Sequence, residues 1–316
     1  MQIYNKKLDF FFIKFPIFFP LIYLLILFSL PNYENILIIL VILLLAEPHF
    51  AATYPILFDN TNKDYLSKKK TVFYTGSFLV IGYCITGFFL FTNFFLLSFY
   101  AFNVFHVTRQ SVGVCKLYNS QQNEIKLQIN LIYLFNSLFF LVGFLRFYIN
   151  QLPQELLLEL NLIILFSIIC AVSYYIKKYK FTENVYTLIS GIIIFYPICF
   201  VSNPIHAILI GVTMHYSQYL FITFKVYAGR KNLLNENLKF NFINLFKIKY
   251  FLIILLYAAI MTVLSLFGKS DYYLYKNLIL IPIIGQTLHF YLDSFIWKFS
   301  EEHNRNNTLK FIKEKI

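Results

Sequence analysis

The sequence predicts an all-α, polytopic integral membrane helical bundle of about ten transmembrane helices with both termini in the cytoplasm. Three observations predict it. The chain of 316 residues is 59% hydrophobic and only 13% charged, against about 25% charged in soluble domains, and its mean hydropathy is +0.65. Ten mostly apolar runs follow one another, each close to the roughly 20 residues needed to cross a bilayer. Lys and Arg recur after every second run, as the positive-inside rule requires.

Cut at charged, Pro- or Asn-bearing breaks, the runs are 15–30, 35–58, 71–91, 93–115, 127–148, 155–176, 182–201, 204–224, 250–267 and 273–297. The first follows Lys6 and Lys7 as a signal peptide would, but it carries Pro16 and Pro20 and lacks a small-residue cleavage site, so it reads as a span. Ten spans put both termini on one side. Of the 27 Lys and Arg residues, only Arg146, Lys269 and Lys276 fall on the other side, and Arg109 lies inside a span. The termini are therefore cytoplasmic. The formal charge of +12 faces membrane lipid, and nucleic acid is excluded as a partner. The longest loop, 225–249, is too short to bury a core, so residues 1–316 form a single transmembrane domain. Cys84, Cys115, Cys170 and Cys199 stand alone in apolar runs without Cys-x-x-Cys spacing and read as small buried hydrophobes.

Of six histidines, His303 lies in the polar tail beside Glu301 and Glu302 and reads as a solvated surface residue. The other five are inside spans, where ionisable groups are costly and face a bundle interior. His49, His106, His215 and His289 each lie 9 or 10 residues before the cytoplasmic end of their span, counted to Phe58, Lys116, Lys225 and Lys298. At about 1.5 Å per residue, all four imidazoles sit about 13 to 15 Å from the cytoplasmic edge, near the bilayer midplane. Four imidazoles at one depth on four helices form a metal cage suited to Fe, Zn, Cu or Ni. One turn further in, on the same helix faces, come Thr53, Gln110, Tyr219 and Asp293, placed to hydrogen-bond the rings or face the same cavity. Tyr219 and Asp293 are the candidate catalytic residues. Glu47 and Arg109, the two other charges near this depth, read as an ion pair supporting the site. His206, nine residues before His215, falls half a turn out of line and near the outer surface.

Absent motifs narrow the chemistry. The chain has no His-Glu-x-x-His of intramembrane zinc proteases, no phosphate-binding glycine loop, no clustered histidine boxes of membrane desaturases and no aspartate-rich prenyltransferase box. Two b-type haems need histidine pairs at two depths, whereas one bis-histidine haem remains compatible with a single level.

The segments AEPHFAATYPILF, NVFHVTRQSVGV, MHYSQYLFITFK and QTLHFYLDSFIWKF resemble the four histidine segments of the Brp/Blh family, the bacterial and haloarchaeal membrane dioxygenases that cleave β-carotene to retinal. The resemblance rests on Pro48 with His49, on His106 after an apolar step, on His215 followed by Phe221, Phe224 and Lys225, and on His289 with Asp293 one turn later. The chain departs from the family at Phe50 and Thr53, where the family has Gly and a following Asp, and at Tyr219, which replaces a second histidine and so removes an iron ligand. The resemblance implies a non-haem Fe(II) centre held mainly by His49, His106, His215 and His289 in a prokaryotic inner (cell) membrane, activating O2 toward a lipophilic carotenoid or other isoprenoid. Tyr54, Tyr219 and nearby Phe residues line a slot for it. Two other classes stay open: a transporter or proton-linked channel with a histidine relay, and a haem-binding membrane protein. Polar residues concentrated at one level, with the outer halves of spans two, four and ten nearly bare, favour a site over a pathway.

Overall fold

The computed structural model describes residues 3, 5–119, 121–149, 152–231, 249–269 and 275–313. These contain helices of several kinds and no strand. Eight helices are long and apolar enough to cross a membrane: Lys6–Ser29, Pro31–Leu57, Thr71–Leu90, Gln122–Ile149, Gln154–Tyr179, Pro204–Arg230, Lys249–Gly268 and Lys276–Ile296. They coincide with eight of the ten runs read from the sequence. The fourth run lies in Thr92–Tyr118, a helix of 27 residues whose middle is polar from Asn103 to Ser111. The seventh forms the shorter Asn184–Cys199, which tightens to a 3-10 turn at Tyr196, where Pro197 removes a backbone donor. Lys239, Lys247, Lys315 and the predicted start of the tenth run at Tyr273 lie outside the described residues.

The long helices turn broad apolar faces outward. Phe28 is 73% exposed, Phe78 71% and Leu25 66%. Such faces are stable only against hydrocarbon, where a helix satisfies its own backbone, and they are those of an integral membrane protein. Cys170 belongs to this surface and is exposed, unlike the buried Cys84, Cys115 and Cys199.

The chain divides into two compact units, Met1–Ile38 with Tyr100–Gln218, and Ile39–Phe99 with Tyr219–Ile316. In the first, polar side chains tie helices through backbone carbonyls. Asn136 Nδ2 donates to Gly191 O at 2.9 Å, and Gln218 Nε2 to Ile13 O at 2.8 Å. Gly211 backs directly onto the Ile194 carbonyl; an added Cβ would fall 1.6 Å from that oxygen, so only glycine permits this approach.

In the second unit, the helix Leu280–Ile296 packs along Gly76–Leu90, and Lys249–Gly268 packs against Glu47–Ala51. The tail after Trp297 folds back. Arg230 donates to Ile56 O at 2.8 Å and Asn307 O at 2.7 Å, and the buried Lys225 Nζ to Ile312 O at 3.2 Å. His303 differs from the sequence expectation of a solvated residue: it stacks on Tyr65 at 4.4 Å between ring centroids and hydrogen-bonds Asn62 Oδ1 at 2.8 Å. The turn at Asn60–Asn62 and the helix Lys63–Lys68 bring those partners under the tail, a contact that local sequence does not encode.

Beside it, the Lys69 ammonium at 2.6 Å and the Tyr65 hydroxyl at 2.8 Å donate to Glu301 Oε2. Hydrogen bonding from Lys69 leads in lowering this carboxyl from 4.5 to about 2. A carboxylate whose folded value lies below its unfolded one stabilises the fold above the unfolded value, and that contribution is lost as pH falls toward the folded value. Glu301→Gln is therefore expected to remove part of the acid sensitivity between pH 4.5 and about 2, read as the melting temperature across a pH series.

Candidate metal centre

The second helix is shaped around His49 by two prolines. Pro48 has no N–H to give, and just before it the helix widens, Glu47 N–H bonding to Ile42 O in a π-turn over Ile42–Ala46. Pro55 interrupts the ladder again after Ala52, and the helix resumes as Thr53–Leu57. Turns of this kind re-aim the side chains that follow them. His49 and Thr53 emerge on either side of the break, 1% and 0% exposed. The helix Leu280–Ile296 is regular up to its cap at Trp297, so His289, Asp293 and Trp297 fall one turn apart on one face.

Within the second unit these side chains meet. The His49 and His289 ring centroids are 4.7 Å apart, and Tyr219 lies 4.3 Å from His49. The Tyr219 hydroxyl donates to Asp293 Oδ1. Thr53 Oγ1 donates to the same oxygen at 3.0 Å and lies 2.7 Å from His289 Nδ1. A threonine hydroxyl has one proton. With that proton given to Asp293, Thr53 would accept from a His289 Nδ1–H, the tautomer whose lone pair is on Nε2. A carboxylate orienting a histidine through its far nitrogen is the arrangement that prepares an imidazole for metal; here a threonine relays it.

The donor set fits a metal ion by distance as well. One ring nitrogen of His49 and one of His289 lie within 4.8 Å of each other, close enough to share an ion bound at about 2.1 Å from each. Phe50 closes one side, 5.3 Å from both rings. Glu47 is 5% exposed, and its Oε2 has no hydrogen-bond partner among the described residues; a buried carboxylate oxygen in that condition awaits a water or a ligand.

The remaining sequence-predicted residues belong to the first unit. His106 and His215 are buried on Thr92–Tyr118 and Pro204–Arg230, and Gln110 is half-buried one turn after His106. Arg109 lies on the exposed side of its helix with its guanidinium 5.6 Å from the Phe105 ring centroid. His206 is buried, not superficial: Tyr23 Oη lies 2.8 Å from its Nδ1, and Glu34 Oε2 lies 3.7 Å from its Nε2. The sequence reading missed Trp297, whose Nε1–H donates to Tyr219 Oη at 3.4 Å; its signal was the four-residue step from Asp293.

Comparison of the chain with protein-family models, with curated proteins and with solved structures finds no match.

Proposed function

We propose that the protein is an intramembrane non-haem iron oxygenase of the Brp/Blh kind, acting with O2 on a carotenoid or another isoprenoid. In this reading it crosses a prokaryotic inner (cell) membrane ten times with both termini cytoplasmic. The observation that carries the proposal is the buried Asp293–Thr53–His289 chain, with the His49 ring at 4.7 Å from that of His289. His49 and His289 hold the ion; His106 and His215 are assigned as its further ligands by the depth that their sequence positions share.

Bound ferrous iron supplies redox chemistry toward O2. The residues of the chain do the rest. Thr53 and Asp293 fix the tautomer and plane of His289. Tyr219, held by Asp293 and Trp297, packs its ring on His49 and occupies the place where the family carries a histidine. Phe50 and the apolar helix surfaces keep water from the centre, which protects reactive species from side reactions.

Oxygen uptake tests the reading. Protein reconstituted anaerobically with Fe(II) in lipid nanodiscs is expected to consume O2 on addition of β-carotene or an acyclic isoprenoid, and His289→Ala protein is not. Uptake by neither protein with any isoprenoid contradicts the proposal and returns the histidines to proton handling.

A further inference from the structure

An apolar cleft of about 260 Å3 in the second unit is lined in part by Tyr54, Leu288 and Leu292, the chain neighbours of Thr53, His289 and Asp293, and by none of the proposed metal ligands. Its walls include Phe58 after the second helix, Leu66 on the helix Lys63–Lys68, Tyr74, Phe78 and Ile81 on the third helix, and Leu288 on the helix Leu280–Ile296. Phe58, Tyr74 and Phe78 are exposed, so the cleft opens sideways onto lipid. Leu66 precedes the third helix, which begins at Thr71, and Ile81 lies eleven residues beyond Lys70. At about 1.5 Å per residue the deepest of these residues, Ile81, lies about 16 Å along the helix from Lys70, the hydrocarbon depth of one leaflet. The volume of the cleft falls below the roughly 300 to 1,000 Å3 of pockets for compact ligands. A cleft this small suits one extended chain.

The mouth is basic. Lys63 stands three residues before Leu66, and Lys70 four before Tyr74, which places each lysine on the helix face that lines the cleft. Both are exposed, as is Lys68. The acids of this region are largely neutralised: Asp59 pairs with Lys231 at 2.5 Å, and Glu301 with Lys69 at 2.6 Å and Lys298 at 3.3 Å. Asp64 is exposed one residue after Lys63, about 100° round that helix, and Glu302 is exposed in the tail. Positive charge over an apolar slot one leaflet deep complements an anionic headgroup with its chain below.

We propose that this cleft binds one acyl chain of an anionic phospholipid whose phosphate sits between Lys63 and Lys70. The lipid is a resident ligand of the second unit, and Tyr54, expected from the sequence to line a substrate slot, lines the lipid's cleft instead.

Native mass spectrometry of the delipidated full chain, offered phosphatidylglycerol and phosphatidylcholine of identical acyl chains, tests this. Wild-type protein is expected to retain phosphatidylglycerol about tenfold over phosphatidylcholine, from two lysines near the phosphate. Lys63→Gln with Lys70→Gln is expected to bring that ratio near one while lipid is still retained. Ser77→Leu, which fills the cleft from its wall without changing charge, is expected to lower retention of both lipids severalfold, and unchanged melting temperatures show that the variants are folded. Equal retention of the two lipids by wild type overturns the proposal. So does full retention by Ser77→Leu, which leaves only surface electrostatics, or displacement of phosphatidylglycerol by equimolar β-carotene, which makes the cleft a substrate slot.

Discussion

His289→Ala is expected to strip iron from the reconstituted protein, and His49→Ala to do the same, while His303→Ala retains the wild-type content. The reason is geometric. His289 is fully buried, its Nδ1 is engaged by Thr53 at 2.7 Å, and its ring lies 4.7 Å from that of His49, so in the proposed centre each ring would supply one coordination position. Loss of an outer hydrogen-bond partner typically costs 10- to 100-fold in metal affinity, and loss of a ligand is expected to cost more than about 100-fold. His303 instead stacks on Tyr65 in the tail. Iron per chain by elemental analysis checks this, with the melting temperature as the control for folding. Wild-type iron in both His49→Ala and His289→Ala protein contradicts a centre held by these rings.

Thr53→Val carries the second large effect, because it keeps the shape of the side chain and removes only the hydroxyl. Asp293 then loses one donor but keeps Tyr219, whereas His289 Nδ1–H loses the acceptor that fixes its tautomer. The expected result is a 10- to 100-fold fall in iron affinity with a stability cost of only about 1 kcal/mol, the scale of one buried polar interaction between membrane helices. Thr53→Ser, which restores the hydroxyl, is expected to recover most of the affinity. A purely structural threonine gives the opposite division, with lower stability and unchanged affinity. Iron titration by competition with a chelator, beside thermal melts, separates the two.

Much of the fold is written in hydropathy. The eight long apolar helices begin and end close to the runs cut at charged and Pro- or Asn-bearing breaks, since a span must be apolar over a fixed length. Thr92–Tyr118 is a long helix whose polar centre from Asn103 to Ser111 dilutes the same signal, and Asn184–Cys199 is cut short at Pro197. The site was legible where helix periodicity reports it. Thr53, Tyr219 and Asp293 each lie one turn from a histidine, and the structure joins them through one carboxylate oxygen. Contacts that depend on chain reversal were not legible. His303 reads as solvated until the tail folds back onto Asn62 and Tyr65, and His206 reads as superficial until Tyr23 comes beside it. The π-turn before Pro48 is an intermediate case: a helix must accommodate the missing N–H, but widening is only one of the ways it can do so.

Buried histidines that hold non-haem iron are what the proposed oxygenase requires. The most direct measurement is the iron content and visible spectrum of detergent-purified protein reconstituted anaerobically with Fe(II), beside a variant with His49, His106, His215 and His289 all changed to alanine. About one iron per chain, no Soret band, and loss of the iron in the variant are expected. A Soret band in the wild-type protein, or iron absent from both proteins, contradicts it.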